Sequence, residues 1–510
     1  MVLRPFHGSW LFLLLLLSGC ATLNPRAECA AHGGDTWHEA RSEHFRVWTD
    51  LDADEARGAT VALERTRAMM RLWWGDGTDF DPPGTVDVVL LRRQGALSEF
   101  ADNRVGGYVS WQDTNVRMLV VMAHEKRRGI PKLVRHELAH YLSRFVLLRQ
   151  PRWFAEGLAM YLEVAEERRD GMVELGQDNK TALDTVLRMG ALPLASLWAW
   201  DTSEPPVRDR FHYYASSWAW VHFLLNSQAE RFADYQQRLA RAEPPRLAWD
   251  AAFEGMSDEA LEQEFAKALR HGTEYTIVTR KLPPASTDVT LGAMSAADVH
   301  VTRARLHRSA FGGTLTPAQR QVQAQADVAE ALRLEPGHVH AAVLGAVMEE
   351  DGAKRLARAR ALTAAHPASA EAWDLLGDSL GEETSARVER EQARRNALRL
   401  TPEEPARLAA LAREYTANGR HANALAHAVK AAKLAPWSQD VQATLAVAAA
   451  AQGRCAEAQV AQARAVDLQH ESVSSEQRAA FHEWLASRIR VHCAAAPEAP
   501  PSAPEAPATR

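Results

Sequence analysis

The spacing of hydrophobic and polar positions divides the chain into regions of different period. His44 to Thr49 (HFRVWT) and Thr85 to Leu91 (TVDVVLL) alternate or run apolar with β-branched residues, which predicts two strands. Gly106 to Trp111 and Met118 to Met122 predict two more, joined by a turn at Gln112-Asp113-Thr114-Asn115. Asp52 to Trp74 carries apolar residues at helical spacing, with Asp50 or Asp52 placed to cap the helix. From Ile130 to about Tyr275 the period is helical almost throughout. Residues 276–295 then break it with Pro283, Pro284 and small polar residues, which predicts an interdomain linker.

Beyond that break the chain is rich in Ala, Leu and Arg and resembles itself. Leu400-Thr401-Pro402, Leu434-Ala435-Pro436 and Leu468-Gln469-His470 return at a 34-residue step, and Asn418-Gly419-Arg420 and Gln452-Gly453-Arg454 keep the same step. That period resembles the tetratricopeptide repeat, a helix-turn-helix unit that buries its apolar face only against its neighbours. Trp373-Asp374-Leu375-Leu376-Gly377 matches the start of its consensus helix, and Ala331 to Pro336 is an earlier closing phrase. Residues 494–510 are Ala, Pro, Glu and Ser up to a final Thr-Arg, and are expected to be disordered.

A chain of 510 residues, 46% hydrophobic, is long enough for two or three ordinary domains with their own cores. Its 59 basic and 65 acidic residues leave a formal charge of −6 spread along the chain, which argues against a nucleic-acid partner. The first residues add a compartment: Arg4, an apolar run from Leu11 to Leu17, then Leu17-Ser18-Gly19-Cys20, which resembles a bacterial lipobox. The resemblance implies cleavage of a signal peptide at 1–19, acylation of Cys20 and a membrane anchor, since the run is too short to span a bilayer. Ala21 in place of an acidic residue points to the outer membrane of a bacterial envelope. Of the remaining cysteines, Cys29 sits alone in a polar tether. Cys455 begins the second helix of the last repeat and Cys493 ends a capping helix that starts near Ser475, so antiparallel packing predicts a disulfide between them.

One helical stretch carries candidate chemistry. His136-Glu137-Leu138-Ala139-His140 places two imidazoles four residues apart, one above the other on a helix, so that both can face one metal. Glu137, one step round the helix, flanks the open position as a general base. Val134, Leu138, Tyr141, Leu142 and Phe145 form an apolar face roughly opposite the histidines, which predicts a helix buried on one side with its ligands on the other. In Pro151-Arg152-Trp153-Phe154-Ala155-Glu156-Gly157-Leu158-Ala159, Pro151 starts a second helix, and Glu156 is the expected third ligand. Gly157 and Ala159 are expected to let this helix approach the first.

HELAH followed by WFAEGLA resembles the gluzincin zinc peptidases. Glu43-His44-Phe45, Gly106-Gly107-Tyr108, HELAH and PRWFAEGLAMYLE together resemble the peptidase-MA-like domains fused to tetratricopeptide repeats in bacterial proteins. The resemblance implies an α+β zincin-like domain over residues 37–275 behind a tether at 20–36, and an all-α solenoid over 296–493. It implies Zn2+ held by His136, His140 and Glu156, with Glu137 as base. It also implies an oxyanion-stabilising tyrosine, Tyr214, with Tyr213 as the alternative. The strand at Met118 to Met122 is expected to offer an edge to an extended peptide. His212 and His222 read as structural histidines more readily than as acids. The functional expectation is an endopeptidase whose repeats dock a peptide or protein substrate or a protein partner. Its rival is a non-catalytic envelope lipoprotein that binds proteins through its repeats, and the intact Glu137 favours the enzyme.

Overall fold

The computed structural model describes residues 29–30, 34–74, 85–101, 107–111, 118–123, 132–203, 205–271, 277–310, 312–381, 383–468 and 475–493. The expected signal peptide at 1–19, the expected lipidation position Cys20, the expected turn at 112–115 and the tail at 494–510 lie outside the described residues.

The first domain opens with β1 (His38–Arg41), β2 (Phe45–Thr49), α1 (Ala53–Arg71), β3 (Val86–Leu91), α2 (Gln94–Leu97), β4 (Gly107–Trp111) and β5 (Met118–Ala123). It continues through α3 (Lys132–Val146), α4 (Arg152–Leu162), β6 (Glu166–Glu167), β7 (Met172–Leu175), α5 (Lys180–Met189), α6 (Leu194–Ala199) and α7 (Arg210–Ser227). It ends with α8 (Ala229–Ala240), α9 (Pro245–Ala252), α10 (Asp258–His271), β8 (Val278–Lys281) and β9 (Thr290–Ala293).

A mixed sheet runs in the order β4-β5-β3-β2-β1-β9, with β2, β3 and β5 mutually parallel and the other pairings antiparallel. Alternation along β3 serves two cores. Val86, Val88 and Leu90 join Phe45 and Val47 in the large core beneath α1, α3, α4 and α7, while Val89 and Leu91 join Trp37, Trp48 and Phe100 on the opposite face. A central strand covered on both sides needs this nearly unbroken apolar run. Asp52 caps α1 by accepting from the Glu55 amide at 3.0 Å, whereas Asp50 accepts from the Arg92 amide at 2.6 Å and ties β2 to β3.

Two expectations change here. The 276–295 segment is not a free linker: β8 pairs with β7 in a second sheet, β6-β7-β8, and β9 extends the main sheet beside β1. The stretch after Ile130 is helical almost throughout, as expected, with β6 and β7 as short interruptions. Finally, β5 is flanked by β3 and β4, so among the described residues the edge on that side of the sheet belongs to β4.

The second region is helical: α11 (Ala296–Ser309), α12 (Pro317–Leu334), α13 (Val339–Val347), α14 (Gly352–Ala365), α15 (Ala370–Ser379) and α16 (Arg387–Leu400). It ends with α17 (Pro405–Ala417), α18 (His421–Leu434), α19 (Gln439–Ala451), α20 (Cys455–Asp467) and α21 (Ser475–Arg490). Consecutive helices pack as antiparallel pairs, each against the next, which is how a solenoid buries apolar faces too small to form a core alone. Gly419 and Gly453, at φ +71° and +77°, end α17 and α19 in the left-handed region that glycine adopts without steric cost, and this explains their shared step. Val299 and Leu306 of α11 complete the second core of the sheet, so the first repeat helix is built onto the first domain. Cys455 and Cys493 are joined as a disulfide with their Cα atoms 5.8 Å apart, and Cys493 lies three residues beyond the end of α21. Among the described residues no helix is long and apolar enough to cross a membrane.

Candidate metal centre

The α3–α4 hairpin is set by burial on one side and capping at its turn. Val134, Leu138, Tyr141 and Leu142 bury one face of α3 in the large core, which leaves His136 and His140 partly exposed on the other. Pro151 precedes α4, whose first amide, from Arg152, donates to Asp201 at 2.7 Å in place of a local cap. Trp153 is wholly buried and meets Trp198 and Trp249 edge-on, each at 5.7 Å. Gly157 is required by a different neighbour from the one expected. A Cβ there would lie 2.4 Å from the Ser217 carbonyl oxygen and 2.7 Å from Val221, so the close approach is between α4 and α7, not α4 and α3.

These constraints bring Glu156 under the two histidines. Its Oε2 lies 3.2 Å from His136 Nε2 and 3.3 Å from His140 Nε2, and the two nitrogens are 3.1 Å apart. Sequence reasoning missed a fourth member. Glu163, which caps the C-terminus of α4, accepts from His136 Nδ1 at 2.9 Å, and its other oxygen accepts from Asn179 Nδ2 at 2.8 Å. A carboxylate can only accept, so the proton of neutral His136 belongs on Nδ1 and the Nε2 lone pair points at Glu156.

Nε2 of His136, Nε2 of His140 and a carboxylate oxygen thus converge within 4.8 Å of one another. Converging lone pairs repel unless a cation sits among them. A proton can serve: burial works to lower His136, yet hydrogen bonds to Glu156 and Glu163 carry its pKa up to about 10. Burial works to raise Glu156, but the charge of His140 and hydrogen bonds from both imidazoles hold its carboxyl far below the usual range. A divalent ion is the other solution. Two imidazoles and one carboxylate with a free side make the donor set of a catalytic zinc site, and Glu163 on His136 is the outer partner that such a ligand normally has. The residues fit the metal that the sequence implies. Glu137 is partly exposed on α3 within electrostatic reach of His136.

The remaining candidates make contacts of their own. Tyr213 and Tyr214, in the first turns of α7, pack against Trp200 at 5.1 and 5.3 Å, and the hydrogen bonds of the triad run within itself and to Glu163. His212 Nε2 sits 2.7 Å from the Gly190 carbonyl at the end of α5, and buried His222 lies 3.4 Å from the Gly176 carbonyl, so both hold structure. His44, part of the Glu43-His44-Phe45 motif, bonds through Nδ1 and its backbone amide to Glu64 of α1 and locks strand to helix.

Residues 133–246 match a family described as a protein of unknown function, DUF1570. That stretch runs from α3 into α9 and contains the triad, Glu163 and Asn179. No curated protein matches the chain. Among solved structures it is similar to a thermophilic TPR protein of Thermus thermophilus, at 17% identity over 37% of this chain and 98% of that one, with a TM-score of 0.29. It is also similar to the MamA protein (15% identity, 34% and 91% covered, TM-score 0.26) and to yeast Tom70 (16% identity, 69% and 70% covered, TM-score 0.30). Likeness at these TM-scores leaves the reading of the repeats to rest on the helix pairs and their 34-residue step.

Proposed function

We propose that this chain is a zinc-dependent peptidase of the gluzincin type, in which His136, His140 and Glu156 hold the metal. The observation that carries the reading is the convergence of three donor atoms from two helices beside an intact Glu137. When bound, zinc supplies a Lewis acid that polarises the scissile carbonyl and makes water a better acid. The protein's own residues do the rest. Glu137 takes the proton of the attacking water on its carboxylate and delivers it to the departing amine nitrogen. Glu163 keeps the His136 proton on Nδ1 and so keeps Nε2 available as a ligand. Tyr214 is the proposed donor to the developing oxyanion, with Tyr213 the alternative. An extended substrate would lie along β4, which the topology leaves open and which borders α3. The proposal extends to an endopeptidase anchored to the bacterial envelope through Cys20, with the repeats docking substrate or a protein partner.

The test is metal analysis of the purified full chain beside Glu137→Gln, followed by digestion of a peptide library. The wild type is expected to carry one zinc per chain and to cleave. Glu137→Gln is expected to keep its zinc and lose about 10²–10⁴-fold in rate, because an amide cannot accept the proton. A wild type that binds zinc but cleaves nothing would favour the non-catalytic lipoprotein scaffold, and a wild type without zinc would end the metal reading.

A further inference from the structure

The last repeats meet the first domain at the turn between its two ligand-bearing helices. Trp437, 7% exposed, stands in the short connection from α18 to α19, within a cluster that includes Leu408, Ala431 and Val441. Its ring lies 3.7 Å from that of Phe145 and 6.2 Å from that of Tyr141, centroid to centroid, on the last turns of α3. Beyond α3, Arg149 is ion-paired with Asp467, the last residue of α20. Asp467 is itself fixed, because α20 is tied to α21 at one end by the Cys455–Cys493 disulfide and at the other by Arg478, which donates to the Val466 carbonyl at 3.0 Å.

Tyr141 follows the ligand His140, and Arg149 lies two residues before Pro151, where α4 begins. The angle of this hairpin decides whether Glu156 meets the two imidazoles. The sequence marks the contact: at the position of Trp437 the preceding and following phrases of the 34-residue step carry Glu403 and Glu471. Trp437, which meets Phe145 of α3, is thus a bulky aromatic where the other two phrases carry an acid.

We infer that the terminal repeats are a positioning element of the metal site, with Trp437 and Asp467 as positioning residues that hold the α3–α4 turn and thereby the convergence of His136, His140 and Glu156. The inference rests on the metal reading of that triad. It changes the role of the repeats, because this part of the solenoid is committed to the chain's own first domain.

The experiment uses the full chain and two readouts, zinc affinity by chelator competition and amide hydrogen exchange of residues 141–149 in metal-free protein. Trp437→Ala is expected to weaken zinc about tenfold or more, in the range seen when outer partners of ligands are removed, and to speed exchange in that segment. Trp437→Phe, which keeps a ring against Phe145, is expected to restore both. Should Trp437→Ala disturb the repeats themselves, Asp467→Asn, at a partly exposed carboxylate, is expected to give the same pair of effects at about threefold, on the scale of a single surface ion pair. Wild-type affinity and wild-type exchange in both Trp437→Ala and Asp467→Asn would overturn the inference. A wild type that takes up no zinc would sink the metal reading, while the exchange measurement would still decide whether the repeats brace the hairpin.

Discussion

Two hairpins of this chain gather histidines and carboxylates, and they settle the charge in opposite ways. In α11–α12, His300, Arg303 and His307 share one face of α11 and meet Asp327 of α12 and Glu99 from the loop after α2. Arg303 donates Nε to Asp327 at 3.1 Å and a terminal nitrogen to Glu99 at 3.3 Å. His300 Nδ1 lies 2.7 Å from the same Asp327 oxygen, and Cys29 Sγ lies 3.6 Å from its Nε2. Cys29, His300 and Asp327 stand in the order of nucleophile, base and orienting acid, yet Cys29 is 1% exposed and Arg303 fills the centre of the cluster. In α3–α4 the bonding partners of Glu156 among the described residues are two imidazoles, with no guanidinium in the place that Arg303 takes. Residue types alone do not separate the two clusters. One carries its own cation, and the other, on the zinc reading proposed above, would take a cation from outside.

The largest test of that contrast is Asp327→Ala. Removing it takes a shared buried carboxylate from Arg303 and two histidines, leaving Glu99 as the acid beside Arg303 and His307, and up to about 3–5 kcal/mol of stability should be lost, read from urea unfolding of the full chain. Zinc content should not change. His140→Ala should do the reverse, abolishing zinc binding with little effect on the metal-free protein. If Asp327→Ala removed the zinc, the two clusters would not be independent and the contrast would fail.

A smaller effect separates ligand from outer partner. Glu163→Gln keeps the shape of the side chain but no longer draws the His136 proton with a full negative charge, so zinc affinity should fall about tenfold while the metal remains bound at saturating concentration. Were Glu163 a structural group like Asp327, the variant would lose stability and leave affinity untouched. Chelator competition and thermal unfolding on one preparation distinguish the two.

What can be read from the sequence follows the range of the forces involved. β2, β3 and α1 are legible because burial imposes period two or 3.6 on neighbouring residues. β1 (HEAR) and β9 (TLGA) are not, because they are short and their residues are mostly polar or small, and β9 pairs with a strand about 250 residues away. The prolines at 283 and 284 suggest a linker, although only the loop between β8 and β9 contains them. His136, His140 and Glu156 are legible from helical spacing. Glu163 carries a fainter signal of the same kind, since seven residues from Glu156 is two turns along one face of α4. The neighbour that demands Gly157 is hidden, because nothing local to WFAEGLA reveals the backbone of α7 at Ser217.

A more exposed pairing of histidine with carboxylate gives the smallest effect. His340 Nδ1 of α13 lies 2.5 Å from Glu371 Oε2 of α15, with the side chains 51% and 42% exposed. Burial works to raise Glu371, but the hydrogen bond to His340 and the charges of Arg305 and Arg407 bring its carboxyl down to about 2. A carboxyl depressed in the folded state contributes stability that is complete above its unfolded value of 4.5 and is lost as pH falls through about 2. Water and salt reach this pair, so Glu371→Gln should cost less than about 1 kcal/mol at pH 7, and less again at 1 M salt, where the screening length is only about 3 Å. The gap between variant and wild type in urea midpoint should therefore narrow from pH 5 to pH 2 and close there. A gap that persisted at pH 2 and in high salt would show that the pair is shielded from water, as the buried α11–α12 cluster is, and exposure would then no longer rank the three sites.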